Sequence, residues 1–275
     1  MIFVYRKWER LCRSLHEKGI HSIPAARVTA ETSPYLVLKH DVETDVSHAL
    51  RIAEIEHKHG HAGSYYVQAY LLRDEKNGKM LRQMQELGHE ITYHYDVMDS
   101  AKGDLVLAMT EFEENRQLFE ANGFPVVTVC QHGNPVVERV GYTSNRDFFR
   151  SEDVRAAYPG IADIMVNYKE AYGTDYTYIS DAGRRFQVIF DPINNDVVKS
   201  DDKNVPIEEM DGLLPYVEAG NVILSIHPHR WSASALLSVV KSGIFTVIRA
   251  VARLLVKIPF MKRLMSRYYH LAKKL

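Results

Sequence analysis

Four short apolar runs separated by helix-length segments govern what this 275-residue chain can fold into. Residues 35–39, 64–67, 90–94 and 126–130 each read as a strand, because they are short, rich in Val, Ile, Leu and Tyr, and bounded by polar or glycine residues. Between them the apolar spacing turns helical. Residues 45–59 place Val46, Leu50, Ala53 and His57 on one side and end at Gly60, with Thr44 as the expected N-cap. Helices are also expected over 78–87, closed by Gly88, and over 104–121, capped by Asp104 and stopped at Asn122-Gly123. A further helix spans 4–18, on the spacing of Tyr5, Trp8, Leu11 or Cys12, and Leu15. Such alternation means a parallel sheet with helices outside, wound as a barrel or an open sheet. Strands at 176–179, 186–190 and 221–226 and a helix near 207–218 complete the core. Residues 131–175, rich in Asn, Tyr and Gly, read as a long active-site connection with short elements.

The strands end in chemistry. The first stops at Lys39-His40-Asp41-Val42-Glu43, the third at His94-Tyr95-Asp96, the fourth at Gln131-His132-Gly133-Asn134-Pro135, and the last at His227-Pro228-His229-Arg230-Trp231. Parallel strands bring their C-terminal ends to one face, so these clusters are expected to meet. Asp41 and Glu43 are two apart and point to the same side of an extended backbone. Two such carboxylates repel unless a cation or a shared proton relieves them, which indicates a metal site or an acid/base pair. His and carboxylate ligands suit Zn²⁺ or a similar divalent ion. The chain has 13 His, and not all belong to this set. His48, His57, His59 and His61 read as surface or packing residues, and His89 opens its strand away from the site.

In order over residues 35–231, these segments resemble the NodB-type polysaccharide deacetylases, carbohydrate esterase family four, and especially a variant branch of them. A strand ending in paired acids matches Leu38 to Glu43. A strand bearing a metal-binding His after a Gly-His-Glu-Ile lead-in matches Gly88 to His94. A groove loop with Pro and Gly matches His132-Gly133-Asn134-Pro135, and a strand ending in a catalytic His matches Val222 to His227. Asp181-Ala182-Gly183-Arg184-Arg185 stands where the family has a supporting Asp. The resemblance implies a distorted, seven-stranded parallel (β/α) barrel with a helical C-terminal extension. It also implies a bound divalent metal, zinc by ligand type, that holds a water and the substrate's acyl oxygen. By position Asp41 resembles the base, Glu43 and His94 metal ligands, and His227 the acid that protonates the leaving amine. The reverse assignment, with Asp41 as ligand, stays open.

Two departures from the family pattern matter. The second acid is Glu43 rather than an Asp, and the position four after His94 is Met98, a poor zinc ligand. A third ligand must then come from Asp96, His132 or His229, with His132 ranked first because it follows a core strand and heads the loop. His40 is another candidate ligand or support. Asn134, Asp181, Arg184, His229, Arg230 and Trp231 are expected to bind substrate or support the site.

Charge divides the chain. All 35 acids lie at or before Glu218, whereas ten of the 34 basic residues lie beyond it. Residues 1–218 therefore carry −11 and residues 219–275 carry +10, which suggests a basic tail with its own partner. Within 236–258, Ile244, Val247, Val251, Leu254, Leu255 and Ile258 fall on one helical face and Arg249, Arg253 and Lys257 on the opposite one. This stretch is too charged to span a bilayer and suits either an anionic membrane surface or docking on the acidic body. No nucleic-acid reader motif accompanies the charge. The domain division expected is a barrel over 1–231 and a basic amphipathic tail over 232–275. Cys12 and Cys130 form no CxxC, and the first residues are too short and too charged for a secretory segment, so the cytoplasm is expected, peripheral at the inner membrane face. The function expected is metal-dependent N-deacetylation of a sugar or polysaccharide precursor. The rivals are a deformylase or other small-amide hydrolase on the same scaffold, and an inactive membrane-associated glycan-binding protein.

Overall fold

The computed structural model describes residues 2–134, 137–173, 175–198, 201–240 and 243. Seven parallel strands carry the fold: β1 (Leu36–Val42), β2 (Gly63–Val67), β3 (Glu90–Tyr95), β4 (Thr128–Gln131), β5 (Ala162–Asp163), β6 (Thr177–Ser180) and, last in the chain, β9 (Val222–Ile226). Two antiparallel strands, β7 (Phe186–Val188) and β8 (Val205–Ile207), extend one edge, giving the order β5-β4-β3-β2-β1-β9-β6-β7-β8. The seven parallel strands match the number expected. Among the described residues no ladder joins β5 to β6, but side chains reach across. The Tyr176 hydroxyl, just before β6, donates to the Ile164 carbonyl just past β5 at 3.2 Å.

Every residue of β1 is buried, as a strand covered on both faces must be. Leu36, Leu38 and Val42 join an outer layer with Val67, Ile91, Tyr93, Val129 and Leu224, packed under α1 (Tyr5–Glu17) and α2 (Val46–Lys58). Val37 faces the other way, into an inner core with Tyr66, Cys130, Tyr178 and Ile223. Three of the helices start where an Asp side chain accepts backbone N–H groups. Asp45, not Thr44, caps α2 by accepting from Ser47 N at 2.8 Å. Asp74 caps α3 (Glu75–Glu86), and Asp104 caps α5 (Leu105–Ala121) as expected. A single-turn helix, α4 (Val97–Ser100), follows β3, and α6 (Asp147–Arg150) lies within the long connection.

The outer layer contains a buried carboxylate. Glu56 of α2 is fully buried and accepts from the Trp8 indole at 3.1 Å and the Tyr65 hydroxyl at 2.8 Å. Its Oε1 lies 2.9 Å from His40 Nε2, and Oε2 lies 3.7 Å from His89 Nδ1. His40 is therefore not at the strand-end cluster. It sits one residue from Asp41 on a strand, so period-two alternation sends it to the opposite face, stacked on Tyr65. His89 likewise stays away from the site, its ring between Gly63 N and Ala53 O.

The described tail is short. Residue Ser238 accepts from Phe3 N through Oγ at 3.0 Å, while Leu236, Leu237, Val239 and Val240 are exposed. The rest of the expected amphipathic helix lies outside the described residues, apart from residue 243. Among the described residues no helix is long and apolar enough to cross a membrane.

Burial alone would raise the Glu56 carboxyl, but His40, His89 and Tyr65 hold it below its ordinary value. A depressed folded pKa contributes stability that is present above the unfolded value of about 4.3 and lost as pH falls through the folded one. Glu56→Ala also leaves Trp8, Tyr65 and His40 facing a void. It is expected to cost about 3–5 kcal/mol in chemical denaturation at pH 7. The deficit should shrink as the pH is lowered below about 4.

Candidate metal centre and its acid-base flank

The inner face of the sheet, at the C-terminal ends of its strands, collects the candidate side chains. Asp41 is the last inward residue of β1, and Glu43 follows the strand. His94 is inward on β3, level with Cys130 on β4. His132 and His227 come just after β4 and β9. Ligand atoms of Glu43, His94 and His132 all lie within 4.8 Å of one another. Glu43 Oε1 is 3.3 Å from His132 Nε2, and the two imidazoles meet edge to face at 5.2 Å.

Each ligand candidate is held from behind. His94 Nδ1 donates to the Cys130 carbonyl at 3.0 Å, which leaves Nε2 as the lone-pair nitrogen. Burial, partly offset by Asp41, pushes His94 down to about 4, so its imidazole is neutral at pH 7. The His132 backbone N–H donates to Tyr95 O at 2.7 Å, and its carbonyl accepts from Asn145 Nδ2 at 2.9 Å. Asn145 in turn donates to Asp99, which takes a bidentate pair of 2.8 Å bonds from Arg139. Arg139 also donates to the Asn134 carbonyl, so the loop carrying His132 is tied at both ends to α4. On the other side the Tyr70 hydroxyl donates to Glu43 O at 2.6 Å. Two imidazoles and one carboxylate are a donor set that fits zinc or a similar divalent ion.

A second set of donors overlaps the first. Asp41, His94 and Cys130, all buried, also bring ligand atoms within 4.8 Å. Here a cation is already present. The Lys39 ammonium, inward on β1 and buried, lies 2.5 Å from Asp41 Oδ1 and 3.3 Å from Ser225 Oγ. Burial would raise the Asp41 carboxyl, but Lys39, His94 and His227 together hold it at about 2. The Glu43 carboxyl also lies well below the usual range, because His132, His227 and His229 outweigh burial.

His227 flanks both acids, its Nε2 3.7 Å from Asp41 Oδ2 and 3.8 Å from Glu43 Oε1. Behind it, Asp181 accepts from Nδ1 at 2.6 Å and from the His227 backbone N–H at 3.1 Å. Asp181 is fully buried. Burial would raise its carboxyl, but Arg230 and His227 hold it below its ordinary value. Arg230 Nη1 donates to the Asp181 carboxylate at 2.8 Å and to its carbonyl at 2.7 Å. The clasp fixes Nδ1 as the protonated nitrogen and aims Nε2 into the site.

The remaining predicted residues fall at different depths. His229 Nδ1 is 3.9 Å from Glu43 Oε2, and burial lowers it to about 4. Arg184, at φ 64°, lies near Asp181 and Arg230. Asp96 is half-buried at the start of α4, and neither donor set includes it. Trp231 is fully buried against Phe3 and Trp8, so it packs the core and does not contact substrate. Sequence patterning passed over Lys39, Cys130, Asp99, Arg139 and Asn145. Lys39 and Cys130 had a signal, since each lies two residues before a singled-out residue and so on the same strand face. The Asp99 network had none, because its partners are about 40 residues apart.

No protein-family model and no curated protein sequence matches the chain. Solved structures are similar to it, among them the following three. A family 4 carbohydrate esterase from Streptomyces lividans, in complex with acetate, is 15% identical over 74% of this chain and 83% of its own, with a TM-score of 0.42. The catalytic domain of a peptidoglycan N-acetylglucosamine deacetylase from Eubacterium rectale is 12% identical over 81% and 87%, also at 0.42. A peptidoglycan deacetylase from Bacillus subtilis is 8% identical over 81% and 99%, at 0.38.

Proposed function

We propose that this chain is a divalent-metal-dependent hydrolase of non-peptide carbon–nitrogen bonds that removes an N-acyl group from a sugar or glycan precursor. One observation carries the proposal. A two-imidazole, one-carboxylate donor set opens between an ionised acid, Asp41, and a histidine, His227, that is clasped from behind by Asp181. Glu43, His94 and His132 are the residues that would hold the ion, with zinc favoured by ligand type. The chemistry a bound ion supplies here is acidification of a water toward a pKa of about 7 and polarisation of an acyl carbonyl.

The chain's own residues supply the proton traffic. Asp41, ionised and with Oδ2 turned into the site, accepts a proton from the attacking water. His227 takes up at Nε2 the proton that Asp41, 3.7 Å away, has accepted from the water and passes it to the leaving nitrogen, while Asp181 and Arg230 keep the ring from turning. The Asp99–Arg139–Asn145 network keeps His132 in register with His94. Acyl transfer to water through this set yields a free amine and a carboxylic acid. Acetate and formate are the two products to distinguish.

The tail gives this enzyme a place. Exposed Leu236, Leu237, Val239 and Val240 lead into a sequence with nine basic residues and no acid from Lys241 onward, a composition suited to an anionic membrane surface. We place a 1–231 catalytic domain in the cytoplasm, held at the inner membrane face by 232–275, with a lipid-linked or nucleotide-linked sugar as substrate.

Purified protein is expected to bind one zinc, and His94→Ala or His132→Ala to abolish that stoichiometry in elemental analysis. Asp41→Asn and His227→Ala should retain the metal yet lose about 10²–10⁴ in turnover, read as acetate or formate release from N-acyl sugars. Metal-free wild type, or full activity in both variants, would refute the assignment. Co-sedimentation with vesicles containing anionic lipid should fall when residues 241–275 are removed; equal pelleting would contradict the membrane role.

A further inference from the structure

The two donor sets share His94, so an ion that uses this histidine must choose between them. Ligand chemistry alone does not direct it to Glu43 and His132. A set with a cysteine sulfur, Asp41–His94–Cys130, is a strong competitor for zinc, since soft sulfur donors favour it. Something else in the molecule must decide.

We infer that Lys39 is a built-in counter-cation that keeps the metal out of the Asp41–His94–Cys130 set, and so confines it to Glu43–His94–His132 and leaves Asp41 free as a base. This rests on the metal-hydrolase reading above. The Lys39 ammonium sits 2.5 Å from Asp41 Oδ1 and 3.3 Å from Ser225 Oγ, and 5.5 Å above the Tyr66 ring centre. It is enclosed, with 1% of its side chain exposed, so it has no route out to solvent. An ammonium held against Asp41 occupies one of its two carboxylate oxygens, and repels a divalent ion that approaches it in a low-dielectric interior. Charge also balances better this way. Lys39 neutralises Asp41 on the inner side, whereas the ion-pair partners of Glu43 among the described residues are imidazoles, those of His132, His227 and His229. Glu43 has no ammonium or guanidinium paired to it among the described residues, so an added cation is stabilised more there than at Asp41. Lys39 is thus a positioning residue: it acts on Asp41 and on metal placement, and does not touch the reacting atoms. An apolar side chain at position 39 would fill similar volume without the charge.

Cobalt(II) reads the choice directly, because a thiolate ligand gives an intense near-ultraviolet charge-transfer band that imidazole and carboxylate do not. Wild-type protein titrated with Co(II) should show visible ligand-field absorption without that band, and Cys130→Ser should change neither the spectrum nor the affinity by more than about two-fold. Lys39→Met should gain the band, Lys39→Met/Cys130→Ser should lose it again, and Lys39→Arg, which keeps the charge, should lack it. A thiolate band in wild type that Cys130→Ser removes would overturn the inference. So would a folded, cobalt-binding Lys39→Met protein without the band. Where Lys39→Met fails to fold, a tenfold loss of cobalt affinity in Cys130→Ser overturns the inference and unchanged affinity supports it. Failure of wild type to bind cobalt at all is a distinct result, which removes the hydrolase reading and this inference with it.

Discussion

The alternation of side chains along β1 is the constraint from which the rest of this structure follows. Parallel neighbours on both edges, β2 and β9, fix the strand's register over its whole length. That register sends Leu36, Leu38, His40 and Val42 into the layer under the helices and Val37, Lys39 and Asp41 into the interior. A slip of one residue would exchange the two sets, putting Leu38 where Lys39 now stands and His40 where Asp41 now stands. Both faces are dense with polar groups that find partners only in the observed register. Glu56 needs His40 on one side, and Lys39 needs Asp41 and Ser225 on the other.

From this constraint the electrostatics of the site take shape. Two carboxylates, Asp41 and Glu43, stand at the end of the same strand in different surroundings. Asp41 has an ammonium at its inner oxygen, whereas Glu43 has a fan of imidazoles around it. The asymmetry separates the roles of two residues that sequence alone leaves interchangeable. His227 spans the two, and Asp181 with Arg230 behind it converts a flexible side chain into a fixed one. Under the proposed function, this geometry is a cation seat with a proton acceptor on one flank and a proton donor on the other.

Much of this was legible in the sequence because it depends on local periodicity. Strand ends carrying His94, His132 and His227 could be placed on one face from the alternation of strands and helices, and the vacancy at Met98 pointed to His132. The failures are equally physical. His40 looked like a ligand because adjacency in sequence was weighed above the two-residue period that turns it away. Trp231 was expected to bind substrate or support the site because it follows the last strand-end cluster, and its indole packs against Phe3 and Trp8. The Asp99–Arg139–Asn145 lock was invisible because its partners meet only through the tertiary path of the long connection. Strand β8 and the two-residue strand β5 were too short to carry a pattern, whereas β7 lies within the strand expected over 186–190.

The central claim is that the cation seat is built by Glu43, His94 and His132. Anomalous diffraction at the zinc edge, from crystals of the full chain grown with zinc, tests it most directly. One anomalous peak is predicted within coordination distance of a Glu43 oxygen, His94 Nε2 and a His132 ring nitrogen, with Asp41 outside that distance and paired to Lys39. A peak bonded to Asp41 and the Cys130 sulfur, or no peak at the strand ends, would contradict the account.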